Sequence, residues 1–479
     1  MENKDNSLKN FLEIPYDELE KMNLQHIKSA ETKSDKEIEK EVRDYLVKEK
    51  RIKAVTICFT NIEGRFHMLD YNKKYFLEST SNLTFDGSSI KGFSNINESD
   101  LRLKIDWASF LHLPADVFGP GKVIIFSYVI NANNIPHSSD FRGMLKSYTE
   151  KIKKEKKIVC YAAAEIEGFL LQGTNAEVNY DKQKGFSLIS TGGYYHSLPL
   201  DTLRTFIDRS AEAQRAMGFC NEKDHCEVAP SQFELNFAYS ELVRACDLVQ
   251  LYKLTCRQIA ASMDMTACFL PKPTPGINGN GMHINFSISK NNKNLFYKKK
   301  GKYGLSKLGW DSIQRILNHA PELSLIFNSS VNAYRRLDPD FEAPNQIKAS
   351  SRDRSSMIRI PDGNEKTARF EIRSVAPDTN PYLSLYAITK TMFEGKPLKK
   401  NKNKRQRARF LPGNINDAIK IFKSSSFLDG VINQNTKEKF ILLKQAAADR
   451  SPKKLGTIVK TSEIIFHHEV TNQILWNKF

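Results

Sequence analysis

Three stretches of this chain alternate polar and apolar residues with a period of two, which is typical of β-strands with one buried face. They are residues 161–171 (YAAAEIEGFLL), 281–288 (GMHINFSI) and 369–375 (RFEIRSV). Their polar faces hold Glu165 and Glu167 in the first, His283, Asn285 and Ser287 in the second, and Arg369, Glu371 and Arg373 in the third. The pattern predicts three strands that present polar groups on one side of a sheet.

A fourth stretch, residues 225–237 (HCEVAPSQFELNF), is strand-like on both sides of a break. Pro230 argues against a continuous helix, because proline lacks the N–H that a helix interior needs. An unbroken strand would send Glu227 and Glu234 to opposite faces, since their separation of seven is odd. An irregular break can reset this parity and direct both carboxylates into one cavity. The alternative is a pair of solvated glutamates on an edge strand.

Together, the four stretches carry five glutamates and one histidine on strand faces. Several half-buried carboxylates in one place would take up protons unless a cation accompanied them. Mg²⁺ and Mn²⁺ prefer carboxylate oxygens and tolerate one imidazole, so the pattern indicates a site for hard divalent ions. The alternative is four amphipathic strands whose polar faces are simply solvated.

A dense set of arginines follows the candidate metal ligands: Arg336, Arg354, Arg359, Arg369 and Arg373. The planar guanidinium fork matches carboxylate and phosphate oxygens, although arginines in surface salt bridges are the alternative for any one of them. Residues 276–281 (GINGNG) form a glycine-rich segment, which is typical of either a tight turn or a phosphate-binding loop. From these residues alone we predict a carboxylate site for two metals with arginines that bind phosphate.

The 479-residue chain exceeds one ordinary hydrophobic core, and its 40% hydrophobic content suffices for two. We predict a polar N-terminal extension at 1–40, a small domain at 41–139 and a large domain at 140–479. Hairpins and long helices such as 200–217 and 241–263 alternate irregularly, which indicates an α+β fold. The large domain should contain a half-open antiparallel β-barrel flanked by helices.

Cysteine usage and hydropathy argue against a secreted disulfide-bonded protein and against a membrane protein. Seven cysteines without CxxC spacing favour reduced thiols in a cytoplasmic protein, and we expect neither a membrane span nor a secretory segment. The net charge is +17, but the lysine runs at 151–157, 298–302 and 399–407 lack interleaved aromatic residues. We therefore expect solvated surface and no specific nucleic-acid partner.

Eight motifs, in order, resemble the type I, bacterial-type glutamine synthetase family. They are FDGSSIKGF at 85–93 with ESD at 98–100, EIE at 165–167, GGYY at 192–195, HCEVAPSQFE at 225–234, PKPTPGINGNGMH at 271–283, NAYRRLDPDFEAP at 332–344, SRDRSSMIRIP at 351–361 and RFEIRSVAPDTNPYLSLYA at 369–387. The resemblance implies a β-grasp-like small domain and ATP-dependent ligation of ammonia to L-glutamate through γ-glutamyl phosphate. It also implies a cytoplasmic homododecamer of two stacked hexameric rings, with active sites between subunits.

The resemblance further implies a role for individual residues. Asp86 would take a proton from ammonium at a neighbouring subunit's site, Glu342 would lie on a flap that guards the intermediate, and Arg354 would assist phosphoryl transfer. One Mg²⁺ or Mn²⁺ ion would bind Glu167, Glu227 and Glu234, and a second Glu165, His283 and Glu371. Glutamate would contact Asn278, Gly279, Arg336 and Arg373, and ATP would contact Asn285, Ser287, Arg354, Arg359, Lys366 and Arg369.

Several positions depart from the family pattern. Cys226 and Asn285 each stand where the family usually has a histidine, Ile166 replaces a usual proline, and Asn95 replaces an arginine common in feedback-sensitive members. No tyrosine follows Tyr386, so the tyrosine that some members modify with AMP is missing. Two alternatives therefore stay open: a γ-glutamyl ligase for a larger amine such as a polyamine, and a catalytically weak nitrogen-sensing family member.

Overall fold

A computed structural model describes residues 12–94, 99–176, 185–196, 199, 201–341, 343–398 and 407–449. The small domain and the segment before it contain α1 (Tyr16–Thr32), α2 (Asp35–Lys48), β1 (Ala54–Thr60), β2 (Phe66–Asn72), α3 (Lys73–Ser79), β3 (Thr84–Asp86), β4 (Asp100–Ile105), β5 (Leu111–His112), α4 (Ala115–Phe118) and β6 (Val123–Ile130).

The six strands of the small domain form one sheet in the order β2-β1-β6-β4-β3, with β5 also paired to β6. Strands β1 and β6 run parallel, and the other pairs are antiparallel. Strand β1 is almost wholly buried, whereas β2 is the edge strand, on which Met68 and Leu69 are both exposed. The aromatic residues Phe59, Phe85 and Phe93 pack together next to the end of β3.

The N-terminal extension is folded where the structure describes it. Helix α1 buries Leu19 and Asn23, and the Asn23 side-chain amide donates to the backbone oxygens of His112 and Ala216, 3.0 and 2.8 Å away. Helix α2 begins with a Ser34–Glu37 capping box. Residues 12–40 therefore pack against both domains, a placement that their polar composition did not reveal.

The large domain opens with α5 (Phe141–Lys156) and carries a ten-stranded sheet. Its strands are β7 (Val159–Gln172), β8 (Asn221–Cys226), β9 (Gln232–Phe237), β10 (Ser240–Glu241), β11 (Met265–Cys268), β12 (Met282–Lys290), β13 (Lys293–Asn294), β14 (Gln346–Ser350), β15 (Ser356–Arg359) and β16 (Phe370–Ile372). The order is β14-β15-β16-β12-β7-β9-β8; β10 and β11 also pair with β7, and β13 with β12.

All of these strand pairs are antiparallel except β14 with β15. Helices pack on the sheet or on one another: α6 (Thr202–Ala216), α7 (Leu242–Ser262), α8 (Lys307–Phe327), α9 (Val331–Arg336), α10 (Pro381–Glu394), α11 (Ile415–Ser424), α12 (Ser426–Asp429) and α13 (Gln434–Asp449). One hydrophobic core joins these helices to the inner strand residues, as the α+β prediction requires. Among the described residues, no helix has the length and apolarity to cross a membrane.

A buried charge cluster joins the two domains. The Arg142 guanidinium is 1% exposed and contacts Asp106 of the small domain at 2.7 Å and Asp247 of α7 at 2.8 Å. Its guanidinium carbon lies 4.6 Å from the Tyr128 ring centroid, and Tyr382 donates to Asp247 at 2.6 Å. Removal of one partner would leave a buried charge uncompensated, so the cluster fixes how the domains meet.

Candidate active site

The polar strand faces form a continuous row across the large sheet. In register, Arg359 of β15 lies opposite Glu371 of β16, and His283 of β12 lies opposite Glu165 of β7. On the other side, Glu167 of β7 lies opposite Glu234 of β9, which in turn lies opposite His225 of β8. Strand pairing therefore brings together groups from positions 165 to 371 of the sequence.

The break between β8 and β9 resets the side-chain parity, as the sequence predicted. Ser231 adopts a left-handed conformation with φ of 62°, and its hydroxyl accepts hydrogen bonds from the backbone N–H groups of Ile189 and Ser190 at 2.7 and 2.9 Å. Glu227 and Glu234 consequently line the same cavity despite their odd separation. The interpretation as two solvated edge-strand glutamates is wrong, because Glu234 is only 5% exposed.

This cavity has a volume of about 140 Å³ and is lined by residues of several strands of the large sheet. Its walls combine acids, arginines and a few neutral groups: Glu165, Glu167, Tyr194, Glu227, Gln232, Glu234, Asn278, Gly279, His283, Arg336, Phe341, Ala343, Arg354, Arg359, Glu371 and Arg373. Twelve of these sixteen residues are among the sites predicted from the sequence, so the structure brings most of the predicted set into one place.

One metal-compatible group consists of Glu165, His283 and Glu371. The His283 Nδ1 atom lies 3.5 Å from Glu165 Oε2 and 3.8 Å from Glu371 Oε1. Burial opposes ionisation of Glu165, but the hydrogen bond and charge of His283 and the Asn285 amide outweigh it and lower the pKa of Glu165 to about 2. The carboxylate is therefore ionised at neutral pH.

A second group consists of His225, Glu227 and Glu234. The two imidazole nitrogens of His225 each lie 3.7 Å from a carboxylate oxygen, Nδ1 from Glu227 and Nε2 from Glu234. Glu167 stands between the two groups: its carboxylate accepts the Gly281 N–H at 2.6 Å and lies 3.8 Å from His283 Nε2. Burial lowers the pKa of His225 and so favours the neutral imidazole that ligates metals.

The pKa of Glu234 shows whether the charges around these residues suit a bound metal ion. Burial, followed by repulsion from Glu167, Glu165 and Glu227, raises the pKa of Glu234 well above its ordinary value. The acids thus create a negative potential that their own neighbours do not neutralise. A divalent cation would relieve it, and carboxylate oxygens with imidazole nitrogen form a suitable donor set for Mg²⁺ or Mn²⁺. The residues therefore fit divalent ions.

Arginines also line the cavity, and two of them contact Glu371 directly. Arg359 donates to Glu371 at 2.7 Å, and Arg373 Nε lies 3.2 Å from the other Glu371 oxygen. Arg336 is 3% exposed, and its guanidinium donates to the backbone oxygens of Arg373 at 2.9 Å and Val375 at 3.3 Å. Burial lowers the pKa of Arg336 to about 10, which still leaves it charged at neutral pH. These contacts aim fixed guanidinium groups at the cavity.

The glycine-rich loop makes room for these groups. A methyl group on Gly281 would lie 2.5 Å from Arg336 Nη2 and 2.7 Å from His283 Nε2, so only glycine fits between them. A methyl group on Gly279 would lie 2.3 Å from the Pro271 oxygen. The Gln232 amide fixes the loop from the other side by donating to the Gly279 oxygen at 3.1 Å.

Four of the residues predicted to contact ATP lie outside the cavity lining. The Asn285 amide donates to Glu165 at 2.9 Å, and its oxygen accepts from Arg369 Nε at 2.8 Å, so both residues lie directly beside the lining. Ser287 follows on the same strand opposite Tyr161 and is half-buried, and Lys366 is exposed. The polar face of β12 thus continues outward from the cavity.

Asp86 also lies outside the cavity of its own chain. It is exposed at the end of β3, and its carboxylate accepts hydrogen bonds from the Ser88 N–H at 2.9 Å and the Ser88 hydroxyl at 2.6 Å. These bonds, together with the Ser89 hydroxyl, lower the pKa of Asp86. The remaining predictions for Glu342 and Asn95 lie outside the described residues.

Three residues that line or complete the site have no role predicted from the sequence. His225 and Gln232 lie within the quoted 225–234 stretch, and period-two alternation alone places them beside Glu227 and Glu234. Tyr194 also lines the cavity and contacts the His225 ring at a centroid distance of 5.8 Å. Its membership in the GGYY motif was the available signal.

Comparisons with known proteins agree with this geometry. A family model described as the glutamine synthetase catalytic domain matches residues 138–457. A second model, described as the glutamine synthetase β-grasp domain, matches residues 51–132. The two matches together span most of the chain and meet between β6 and α5.

Curated relatives match over nearly their full length. Glutamine synthetase from Thermotoga maritima is 32% identical over 435 residues, which cover 88% of this chain and 97% of that protein. Glutamine synthetase from Thermus thermophilus is 31% identical over 426 residues, covering 84% of this chain and 94% of the relative.

Solved structures show the same architecture. A cryo-EM structure of Plasmodium falciparum glutamine synthetase superposes with a TM-score of 0.76 at 23% identity, covering 85% of this chain and 95% of that one. A GmaS/ADP complex superposes with a TM-score of 0.74 at 23% identity, covering 87% and 97%. These likenesses confirm the predicted fold, a β-grasp domain followed by a half-open barrel with helices.

Proposed function

The chain belongs to the glutamine synthetase family, and we propose that it ligates ammonia to L-glutamate at the expense of ATP. The reaction would pass through γ-glutamyl phosphate and yield glutamine, ADP and phosphate. The observation that carries this proposal is the single cavity in which two acidic groups face four arginines. Such a cavity accommodates a carboxylate and a transferring phosphoryl group side by side.

The arginines would orient the two substrates. Arg336 and Arg373 lie on the wall next to the Asn278 and Gly279 loop, so they would hold the glutamate carboxylates. Arg354 and Arg359 line the same cavity and would contact the triphosphate, with Arg354 stabilising charge on the transferred group. Beyond the cavity, Asn285 and Ser287 of β12 would extend the nucleotide-binding surface, together with Arg369 and Lys366 from the segment before β16.

We assign Glu167, Glu227 and Glu234 to one divalent ion, and Glu165, His283 and Glu371 to a second. Bound Mg²⁺ or Mn²⁺ would offset repulsion between the substrate carboxylate and ATP and would stabilise charge on the transferred phosphoryl group. The residues themselves set the geometry: the strand ladder holds the carboxylates, the Gly281 N–H holds Glu167, and Asn285 holds Glu165.

Asp86 would bind ammonium and accept its proton. Because it is exposed and absent from the cavity lining of its own chain, we propose that it completes the site of a neighbouring subunit. This assignment goes with a type I enzyme of two stacked hexameric rings, in which Glu342 would shield the intermediate from water. The seven free cysteines, six of them buried, suit a reducing compartment such as the cytoplasm.

The decisive experiment measures phosphate release from ATP and glutamate with different amines. We expect ammonium to support release at far lower concentration than methylamine, ethanolamine or polyamines. A preference for a larger amine would select the γ-glutamyl ligase alternative, and no release with any amine would select the nitrogen-sensing alternative.

A further inference from the structure

The turn between β1 and β2 inserts a buried carboxylate from the small domain into the large domain. Glu63 is 3% exposed, and its side chain pairs with Lys444 of α13, which is 1% exposed, at 2.9 Å. Helix α13 lies beyond residue 387, where the family motifs of the sequence end. The two partners are 381 residues apart in the chain.

Two further side chains of the large domain hold the same turn. The Asn380 amide, at the N-terminus of α10, donates to the backbone oxygens of Asn61 at 3.3 Å and Ile62 at 3.2 Å. The Gln250 amide of α7 donates to the Gly64 oxygen at 2.9 Å. Gly64 has φ of 87°, and a methyl group there would lie 2.6 Å from Asn380 Cα, so the turn is held closely.

The turn at 61–64 also contacts the loop at 87–94, which directly follows Asp86. A methyl group on Gly92 would lie 2.2 Å from Ile62 Cγ2, which shows that the loop backbone lies directly on the Ile62 side chain. Phe93 is buried next to this contact, and Lys439 of α13 donates to its backbone oxygen at 2.6 Å. Within residues 86–94, the Gly87 oxygen accepts from the Ile90 N–H at 3.3 Å.

We propose that Lys444 is a positioning residue for the ammonium-binding carboxylate. Through Glu63 and Ile62 it fixes the loop on which Asp86 sits, and thereby sets the amine step at the neighbouring subunit's site. The inference rests on the proposed role of Asp86. The inference adds that α13 of one subunit affects ammonium binding at the neighbouring subunit's site, because it positions Asp86.

The energetics of the pair favour this interpretation over a purely stabilising one. A buried ion pair costs desolvation on both sides, and well-packed apolar residues commonly give equal or greater stability. What the pair supplies is a directed contact that fixes one orientation of the turn against α13. Asp86 is the last residue of β3, which pairs only with β4 among the described residues, so its position depends on the packing of the loop that follows it.

Lys437 provides a matched control on the same helix. It is 2% exposed and charged like Lys444, but its ammonium group contacts Asp429, the Ser425 oxygen and the Lys423 oxygen, all within the C-terminal helices. Lys444→Met removes the cation that pairs with Glu63, and Lys437→Met removes the cation that contacts Asp429 and two backbone oxygens. The two variants therefore share the loss of stability and differ in whether the turn at 61–64 is affected.

The experiment compares Lys444→Met, Lys444→Arg and Lys437→Met as full-length enzymes. For Lys444→Met we expect the KM for ammonium to rise by about tenfold or more, because small misplacements of a reacting group have large effects. γ-Glutamyl phosphate formation, followed by positional isotope exchange in ATP without ammonium, should stay near the wild-type rate. Lys444→Arg should recover most of the ammonium affinity, and Lys437→Met should leave it unchanged.

Asp86→Ala in the same assay separates the two hypotheses. If Asp86→Ala leaves the ammonium KM unchanged, the proposed role of Asp86 fails. If Asp86→Ala raises it but Lys444→Met does not, or if Lys437→Met raises it equally, the positioning role of Lys444 fails instead.

A second pair of variants tests the contact nearest to Asp86 in case Lys444→Met does not fold. Gly92→Ala and Gly119→Ala both place alanine at positive φ, 88° and 95°, but only Gly92 has a neighbour within reach of the new methyl group. Gly92→Ala should raise the ammonium KM by about tenfold, whereas Gly119→Ala should not. Equal ammonium KM values in the two variants would overturn the proposal.

Discussion

Glu371 and Asp86 are both acids of the proposed reaction, and the molecule holds them differently. Glu371 is 2% exposed on a central strand, with Arg359 and Arg373 on its two oxygens. Asp86 is exposed at the end of an edge strand, and its carboxylate accepts hydrogen bonds from Ser88 and Ser89, two and three residues away. The first acid is fixed by sheet register and the second by local turns and the packing beneath its loop.

This difference separates two functions. A carboxylate in a ladder of strands cannot move without its neighbours, which suits residues that must hold a fixed geometry for phosphoryl transfer. An exposed carboxylate at the end of an edge strand, next to a loop, can face another subunit, which suits a residue that completes a shared site. Substitutions in the cavity should therefore stop the whole reaction, and substitutions at the loop should affect the amine step alone.

The largest effect is expected for the cavity acids. Glu167→Ala or Glu371→Ala should reduce glutamine synthesis by about 10³-fold or more, because each removes a proposed ligand for a divalent ion. Circular dichroism should show a fold close to wild type. Glu241→Ala, an exposed acid on the neighbouring strand β10, is the matched control and should keep full activity. Unchanged synthesis in Glu167→Ala or Glu371→Ala would rule out the metal assignments.

Asp86→Asn should slow synthesis by about 10²-fold, the usual scale for losing a general base. The substitution keeps the shape of the side chain but removes the charge that attracts ammonium and accepts its proton. Formation of γ-glutamyl phosphate should change much less, since the arginines and cavity acids are untouched. The measurement is the ammonium dependence of glutamine formation beside positional isotope exchange in ATP. An unchanged ammonium dependence would contradict the role of Asp86.

Mixed assemblies test whether the two regions meet across a subunit boundary. Asp86→Ala subunits and Arg373→Ala subunits should each be almost inactive, and their co-assembly should restore activity at about one interface in four if they mix at random. Light scattering establishes that the mixture forms the same assembly. A fully active monomer, or no recovery in a verified mixed assembly, would count against a shared site.

A smaller effect, on the KM for ATP, is expected for Asn285, which lies directly beside the cavity lining. Asn285→Ala removes the amide that connects Glu165 and Arg369, so it should raise the KM for ATP by about fivefold, the scale of one hydrogen bond. The KM for ammonium should stay the same. Asn294→Ala, on the outer hairpin where its amide bonds the Ala368 oxygen, serves as the control. Equal ATP affinity in both variants would remove Asn285 from the nucleotide-binding surface.

The smallest effect concerns stability. Glu234 has a pKa above its ordinary 4.5 in the folded state, so the folded protein binds a proton that the unfolded chain has lost. The stability of the metal-free protein should therefore be greatest below about pH 4.5 for this group and fall as pH rises through the folded pKa. Thermal unfolding should show a Tm decline of a few degrees with EDTA, reduced in Glu234→Gln and reversed by Mg²⁺. If Tm in EDTA fell equally with pH in the wild-type protein and in Glu234→Gln, the raised pKa of Glu234 would be contradicted.

The cavity residues could be predicted because strand alternation reports which side chains share a face. Glu165 and Glu167 followed from period two, and the reset at Pro230 and Ser231 followed from the odd separation of Glu227 and Glu234. Register could not be predicted, since it depends on pairs such as His283 with Glu165 that the local sequence does not specify. The family resemblance supplied the substrates and individual roles.

The support of the Asp86 loop could not be predicted at all. It depends on Lys444 and Glu63, two charged residues that local sequence assigns to the surface and tertiary packing buries. The same holds for α1, where a polar composition conceals Asn23, a buried side chain that bonds backbone groups of both domains. Contacts between distant charged or polar residues leave no periodic signal.

Strand β7 has a consequence for how the chain folds. It pairs with β9, β10, β11 and β12, and its register with β12 joins Ile166 to Met282 and Val159 to Ser289. Closing loops of this length before any contact forms makes such a sheet slow to nucleate, because chain entropy is lost first. Hydrophobic strands stay unpaired during that time and are prone to associate with other chains. We therefore expect refolding to be slow and its yield to fall with protein concentration.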